Sequence, residues 1–469
     1  MEPAGSTFFW CLAVLLLLAP LYKAGNRPIP LIFLELAALG LLFAIVVAQR
    51  VPLGLPRALS AALGVLLVYP LLQLIPLPDA VWRALPGHDE YAAVLDRFAS
   101  ADGRAWRAIS VVPAATEYGW LALLPPLACL LGAMRLSPAH AARLLLLLAV
   151  LAAAEGVLGL LQVGPSGRGM LYFGNEEPGQ YVAIGTYVNK NHLAALLAMT
   201  LPVIVGIFAY SLRPGRRVHG HTPVAPPSET NAKRTLLFAS AVIILVCLLF
   251  TRSRAGIASA LVGLACAALV LVRADAARPD RRGGRAASVI VIGLVVVSLG
   301  IAVVLGIGPL LRGLQPGELQ AGADFRSSIY RATLRGAIEF LPFGSGLSTY
   351  ADVFPRFQVA DVGGFIDYAH NDYLQALMEL GLAAPVIVLL AFAAWIRRLV
   401  ELLRSRDARS FTLLQLGAGL GMAPIMLHSM FDFALHMPAN AMWFAALGGV
   451  MFNNGAPDPA RRKAKIIPP

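Results

Sequence analysis

The chain has 469 residues, 58% hydrophobic and 14% charged, with 38 Lys and Arg against 26 Asp and Glu and a net charge of +12. Soluble domains carry about 25% charged residues, so this chain has too little polar surface for a water-soluble globule. Its basic excess reads as the cytoplasmic loops of a membrane protein rather than as a nucleic-acid footprint.

Uninterrupted apolar runs of about 17 to 23 residues match the roughly 20 that cross a hydrocarbon core as helix. They fall near 7–22, 29–48, 58–76, 117–134, 142–163, 192–212, 235–251, 255–272, 288–310, 376–396, 411–430 and 439–453. The predicted fold is an all-α polytopic membrane protein of about twelve transmembrane helices, each satisfying its own backbone in lipid. The first run resembles a signal-peptide core, but it lacks a basic flank and a small-x-small cleavage site and reads as a retained span. Cys11, Cys129, Cys247 and Cys266 sit inside apolar runs with no paired spacing, which argues against a disulfide framework or a zinc site.

The connections 213–234, 273–285 and 397–409 are rich in Arg and poor in acid, as is the tail carrying Arg461, Arg462, Lys463 and Lys465. The positive-inside tendency places these in the cytoplasm with both termini. Alternation then puts 23–28, 77–116, 164–191, the turn Thr251–Arg254, 311–375 and 431–438 outside, with Lys23 and Arg27 as a mild dissent. This divides the chain into three regions: N-terminal spans over 1–140 with an outer loop at 77–116, a main transmembrane region over 141–450 with an outer loop at 311–375, and a basic tail over 451–469. The first loop reads as a small helical cap without chemistry. The second reads as an amphipathic helix from about Phe325 to Phe340, a turn at Leu341–Gly346 and a short helix from Ser348.

The stretch Ala369-His370-Asn371-Asp372-Tyr373-Leu374-Gln375 closes that second loop at the mouth of an apolar run, where lipid, water and a titratable base meet. Four other features share its side of the membrane. Lys190, Asn191 and His192 stand where an outer loop enters span six, and Arg252 with Arg254 occupies a tight turn. Arg326 leads the loop helix, with Arg331 and Arg335 beyond it, and His428 and Asp432 close span eleven ahead of His436. Each also has a bland reading. Lys190 also fits a snorkelling side chain, Arg331 and Arg335 a solvated helix face, and Arg326 a surface pair with Asp324. Arg252 and Arg254 are two apart and cannot share a helix face. Arg254, ahead of the small residues Ala255 and Gly256, is the preferred phosphate ligand. His428 and Asp432 at i and i+4 stack on one helix face, and with His436 they suggest a metal site, but structural support of the outer face is the preferred reading.

Guanidinium groups bind phosphate bidentately, and a neutral imidazole can take a proton from a sugar hydroxyl. Together they describe group transfer from a phosphate-activated donor. A secondary transporter is the alternative of another class. Transporters place polar groups near the bilayer midplane, whereas here only Glu35 and Glu155 ionise within spans, neither with an evident partner.

These motifs, in this order, resemble the O-antigen ligase and O-antigen polymerase superfamily of bacterial inner membranes. The resemblance rests on Gly185–Ala194 (GTYVNKNHLA), Thr251–Gly256 (TRSRAG), Arg326 with Tyr330, Leu341–Tyr350 (LPFGSGLSTY), Ala369–Leu382 (AHNDYLQALMELGL) and His428–Asn440 (HSMFDFALHMPAN). It implies a GT-C-like fold with a large periplasmic loop, and metal-independent, cofactor-free transfer of a glycan from an undecaprenyl-pyrophosphate carrier to an acceptor hydroxyl. It implies that Arg254 and Arg326 grip the pyrophosphate and that His370 activates the acceptor. Lys190, Asn191, Arg252, Arg331, Asn371 and Asp372 are then secondary substrate contacts, and His428 and Asp432 support them. The implied partners are the lipid-linked donor, a glycan or glycolipid acceptor and membrane lipids, with no nucleic acid. A ligase using lipid A core is preferred over a polymerase using the next repeat unit. Where the family often has Gly after the turn arginine, Ala255 stands here.

Overall fold

The apolar runs fold as helices, and what separates them is set by proline, glycine and capping side chains. In the computed structural model the described residues are 3–47, 54–97, 105–163, 182–211, 227–276, 292–293, 316–360, 362–405 and 410–454. The expected span 288–310 lies almost wholly outside them. So do most of the connections 213–234 and 273–285, the basic tail from residue 455, and most of the loop 164–191.

The helices are α1 Pro3–Leu18, α2 Pro28–Val47, α3 Arg57–Gln73, α4 Asp79–Arg83, α5 Asp89–Arg97, α6 Pro113–Leu121, α7 Leu124–Met134, α8 Pro138–Gln162, α9 Lys190–Ser211, α10 Pro227–Phe250 and α11 Arg254–Ala276. They continue with α12 Pro316–Glu339, α13 Tyr350–Val353, α14 Asp372–Leu380, α15 Ala383–Arg404, α16 Ser410–His428 and α17 Pro438–Phe452. Among the described residues six helical stretches are long and apolar enough to cross a membrane: Pro28–Val47, Pro113–Met134, Pro138–Gln162, Lys190–Ser211, Asn231–Phe250 and Phe411–His428. Shorter apolar helices occupy Ser6–Leu18, Arg57–Gln73 and Arg254–Val270. The chain is thus a helical membrane protein.

The run expected at 376–396 is divided. Gly381 adopts φ +54, and a Cβ there would collide with the Pro342 carbonyl oxygen. Only glycine fits this approach, so α14 ends and α15 starts in a new direction. The cap expected at 77–116 contains α4 and α5, but its ends also pair as a two-stranded ribbon, β1 Pro76–Pro78 with β2 Trp106–Ala108. Prolines at 76 and 78 favour extended backbone, and Asp79 clamps Arg83 and Arg107 at the ribbon mouth. Helix α12 begins at Pro316, well before the expected Phe325.

Helices α9 and α16 are the close-packed centre. A Cβ on Gly206 would lie 2.7 Å from the Gly417 Cα, and one on Gly421 would lie 2.7 Å from the Met199 carbonyl. Small residues let these helices approach along their backbones. The antiparallel register then brings two of their ends together: about two turns beyond Met199 and Gly421 stand His192 and His428.

A second, smaller core lies within the segment from α12 to α14. Ile329, Ala332, Phe340, Tyr350, Phe354 and Met378 are buried together there. The turn after α12 is held from two sides. Buried Gln73 donates to the Phe343 and Glu379 carbonyls and accepts from the Leu347 amide. The buried Glu379 carboxylate accepts from the amides of Ser348 and Tyr350. Chain segments about 300 residues apart are thereby locked together.

Candidate active site

The turn Thr251–Gly256 shows how local sequence builds the cationic side of the site. Thr251 Oγ1 donates to the Leu248 carbonyl and closes α10, and Ser253 Oγ accepts from the Gly256 amide and caps α11. Between them Arg252 adopts φ +54. Arg254 then opens α11. A Cβ on Gly256 would come within 2.5 Å of Ala194 Cβ, so the start of α11 lies directly against the start of α9. Asn189 caps α9 by accepting from the Asn191 amide at 2.8 Å, which sets Lys190 beside the turn. Lys190 is close enough to Arg252, Arg254 and Arg326 to feel the charge of all three.

Buried groups in α8 shape the backbone leading to Lys190. Glu155 accepts from the Thr186 amide at 2.9 Å and from Thr186 Oγ1 at 2.8 Å. Gln162 accepts from the amides of Ile184 and Gly185 and donates to the Gly185 carbonyl. Glu155 thus has the partner that its sequence context did not reveal. Buried Asn440 ties the same segment to α17, accepting from Tyr187 and donating to the His192 carbonyl.

Helix α12 connects the cations to the histidine. Gly322, Arg326 and Tyr330 recur every four residues and lie along one stripe. At its first position an added Cβ would stand 3.0 Å from Arg254 Nη2. At its last, Tyr330 Oη donates to the His370 carbonyl at 2.7 Å and to the Met430 carbonyl at 3.3 Å. Eight residues of helix rise about 12 Å, so Arg254, Arg326 and His370 are arrayed along one stripe of α12. Burial pushes the Tyr330 hydroxyl above its ordinary pKa, with Arg326 opposing, so it remains a donor.

His370 adopts φ +51, a conformation uncommon for a residue with a Cβ. Tyr330 holds its carbonyl, and Asn371 fixes the first turn of α14 beyond it. The Asn371 Oδ1 accepts from the Tyr373 and Leu374 amides as the cap of α14, and its Nδ2 donates to the Met430 carbonyl. His370 Nδ1 lies 3.0 Å from Asp432 Oδ1. A carboxylate only accepts, so Nδ1 is the donor, and in the neutral ring the lone pair is on Nε2. Burial opposes ionisation of Asp432, but the hydrogen bond from His370 and the nearness of His428 and His192 hold its carboxyl well below the usual range. The result is a base nitrogen, 23% exposed as a side chain, backed by a buried carboxylate.

A reciprocal pair binds the same two segments. Asp372 Oδ1 lies 2.5 Å from His436 Nδ1, and Asp372 Oδ2 accepts from the Leu435 amide. His370 thus reaches across to Asp432 while Asp372 reaches across to His436. Burial alone would lower the His436 pKa, but Asp372 and Glu379 raise it. Phe433 lies between the two pairs, stacked on Tyr368 with ring centres 4.1 Å apart and edge-on to His370 at 5.0 Å.

The candidates named from the sequence therefore separate. Arg254, Arg326 and His370 gather along the α12 stripe, with Lys190 near the arginines at 252, 254 and 326. Asn371 and Asp372 use their side chains to tie the start of α14 to the segment after α16. Arg331 lies on another face of α12, lining a shallow groove of about 470 Å³ with Leu334, Arg335 and Ile338. Helix α16 ends at His428, so His428, Asp432 and His436 do not continue as one helical stack. His436 turns to Asp372 instead.

Residues 239–389 match the family model described as O-antigen ligase. Over that stretch, about a third of its length, the chain is similar to that family. The match bears out the resemblance to the O-antigen ligase and polymerase superfamily, whose members are glycosyltransferase-type membrane enzymes. The matched segment includes Arg252, Arg254, Arg326, Tyr330 and His370, while Lys190, His192, His428 and Asp432 lie outside it. No curated protein matches the chain.

Proposed function

We propose that the protein transfers a glycan from an undecaprenyl-pyrophosphate carrier to an acceptor hydroxyl at the periplasmic face of a bacterial inner membrane. The observation that carries this reading is the union, along one stripe of α12, of four cationic side chains and a carboxylate-backed imidazole. Four like charges held together suit a multiply charged anion, and pyrophosphate supplies both the charge and the geometry that guanidinium groups bind.

In the proposed reaction Arg254 and Arg326 hold the pyrophosphate, with Lys190 and Arg252 adding charge. His370 Nε2 takes the proton of the acceptor hydroxyl as that oxygen attacks the anomeric carbon. The bond from the anomeric carbon to the phosphate oxygen breaks, and undecaprenyl pyrophosphate leaves with the bonding pair. Asp432 stabilises the imidazolium that forms. General-base help of this kind is worth about 10²–10⁴ in rate, and donors on a departing oxyanion add roughly 10²–10³. No step calls on a metal or an organic cofactor. The ligase reading, with lipid A core as acceptor, accords with the description of the matched family.

In cells lacking the protein, complementation with His370→Ala, Arg254→Ala or Arg326→Ala is expected to yield full-length protein and glycan stranded on its carrier. Long unattached chains on the carrier accompany loss of a ligase, and single capped units on the surface accompany loss of a polymerase. Normal surface glycan with the His370 variant would end the base assignment.

A further inference from the structure

Behind the His370–Asp432 pair lies a buried polar group that the proposed chemistry does not use. His428 is fully buried at the end of α16, and His192 is 3% exposed at the start of α9. Neither ring has a hydrogen-bond partner among the described residues, and the same holds for Asp432 Oδ2 and Ser429 Oγ. Leaving such groups unpaired is costly, and finding several around one carboxylate points to a common purpose. His428 Nε2 faces Asp432 Oδ2 at 3.9 Å, an ion-pair separation just beyond hydrogen-bond reach. His192 lies edge-on to Phe433, with ring centres 4.6 Å apart, and feels the charges of Asp432, His428, Asp372 and His370.

The geometry is that of one carboxylate between two imidazoles. Oδ1 is taken by His370 and by the Phe433 amide at 3.0 Å. Among the described residues, only His428 stands within ion-pair distance of Oδ2. The close backbone approach of α9 and α16 at Gly206, Gly417 and Gly421 holds His428 there, since any shift along either helix would move it away from the loop.

We infer that His428 is a positioning residue for the transfer reaction, acting through the free oxygen of Asp432 to keep that carboxylate charged and aimed at His370. The inference rests on His370 being the base of the proposed reaction. An N–H directed at Oδ2 shares the carboxylate's negative charge and so weakens its pull on the proton of His370. Without it the His370–Asp432 pair binds a proton more tightly, and the pair reaches its basic form only at higher pH. The other titratable or charged groups facing this cluster are His192 from α9, Tyr330 and Arg326 from α12, and Asp372 with His436 from the two loops. All remain in place when His428 alone is changed.

The test uses the full-length protein in detergent or nanodiscs with a lipid-linked glycan donor, following turnover against pH. For His428→Phe the acid limb of kcat is expected to move up by about one pH unit, a loss of about tenfold on the acid side. KM for the donor stays near the wild-type value, because the cations are untouched. His428→Gln, which keeps an N–H donor, should restore much of the wild-type profile. A purely structural role for His428 would reduce the amount of folded protein but leave the limb of the surviving enzyme where it was. An unmoved limb in folded His428→Phe overturns the inference while an inactive His370→Ala leaves the base assignment standing. An active His370→Ala overturns the base assignment itself.

Discussion

Replacing Asp432 with Asn removes one charge while keeping an oxygen able to accept from His370 Nδ1, so it isolates the electrostatic part of the proposed mechanism. The perturbed contact is 3.0 Å long and Asp432 is completely buried. Opposite unit charges about 4 Å apart attract by about 4 kcal/mol at an effective dielectric constant near 20. The imidazole is 23% exposed, and solvent screening trims that figure to about 2–3 kcal/mol, or roughly 30- to 150-fold in rate. This stabilisation exists only once His370 has taken the acceptor proton, so it appears in kcat and not in donor affinity. The assay is single-turnover transfer by purified protein, with donor binding measured separately. Asp432→Asn should bind donor normally and turn over roughly 30- to 150-fold more slowly. A folded Asp432→Asn protein with wild-type kcat would refute the reasoning, because the buried charge would then contribute nothing where it is expected to act.

Gly322→Leu inserts a side chain where Arg254 Nη2 stands 3.0 Å from the Cβ position, so donor KM should rise about tenfold, equivalent to about 1.4 kcal/mol, with kcat changing much less. Gly256→Val forces atoms into a site where a Cβ already meets Ala194 Cβ at 2.5 Å. Overpacking of this kind costs about 1–3 kcal/mol and should lower both the thermal midpoint and donor binding, whereas an unchanged midpoint would show that α9 and α11 separate freely. For His436 the folded-state pKa is raised by Asp372 and Glu379, although burial opposes this. Its contribution to stability is therefore complete below the ordinary value of about 6.5 and is lost as pH rises through the raised value. The midpoint difference between wild type and His436→Gln should shrink as pH rises above about 6.5; a difference independent of pH would exclude a charged latch.

Much of this architecture could be read from local pattern. The long apolar runs among the described residues became helices because apolar length is a local property, and the turn at Thr251–Gly256 was visible because Thr, Ser and Gly carry its geometry within six residues. The shared stripe of Arg326 and Tyr330 came from helical spacing. What could not be read were pairings across sequence. His428 and Asp432 stand four residues apart, yet the Asp432 hydrogen bond runs to His370, 62 positions away. Glu155 looked like an isolated acid inside a span because its partner, Thr186, comes from a loop 31 residues on. One signal does lie in the sequence: His370 and Asp372 in one segment and Asp432 and His436 in the other form complementary sets, and two outer loops brought face to face can exchange them. The division of the run 376–396 was hidden for a similar reason, since Gly381 is required by the approach of Pro342 and not by its own neighbours.

The central claim, that an imidazole on the outer face drives glycan release from a pyrophosphate carrier, is tested most directly by one measurement. Purified wild-type protein and His370→Gln are each given a lipid-linked glycan donor and an acceptor, and free undecaprenyl pyrophosphate is quantified over time. The wild type should release carrier in step with glycan transfer, while the variant binds donor with unchanged affinity and releases almost none. Carrier release by folded His370→Gln at the wild-type rate would contradict the claim.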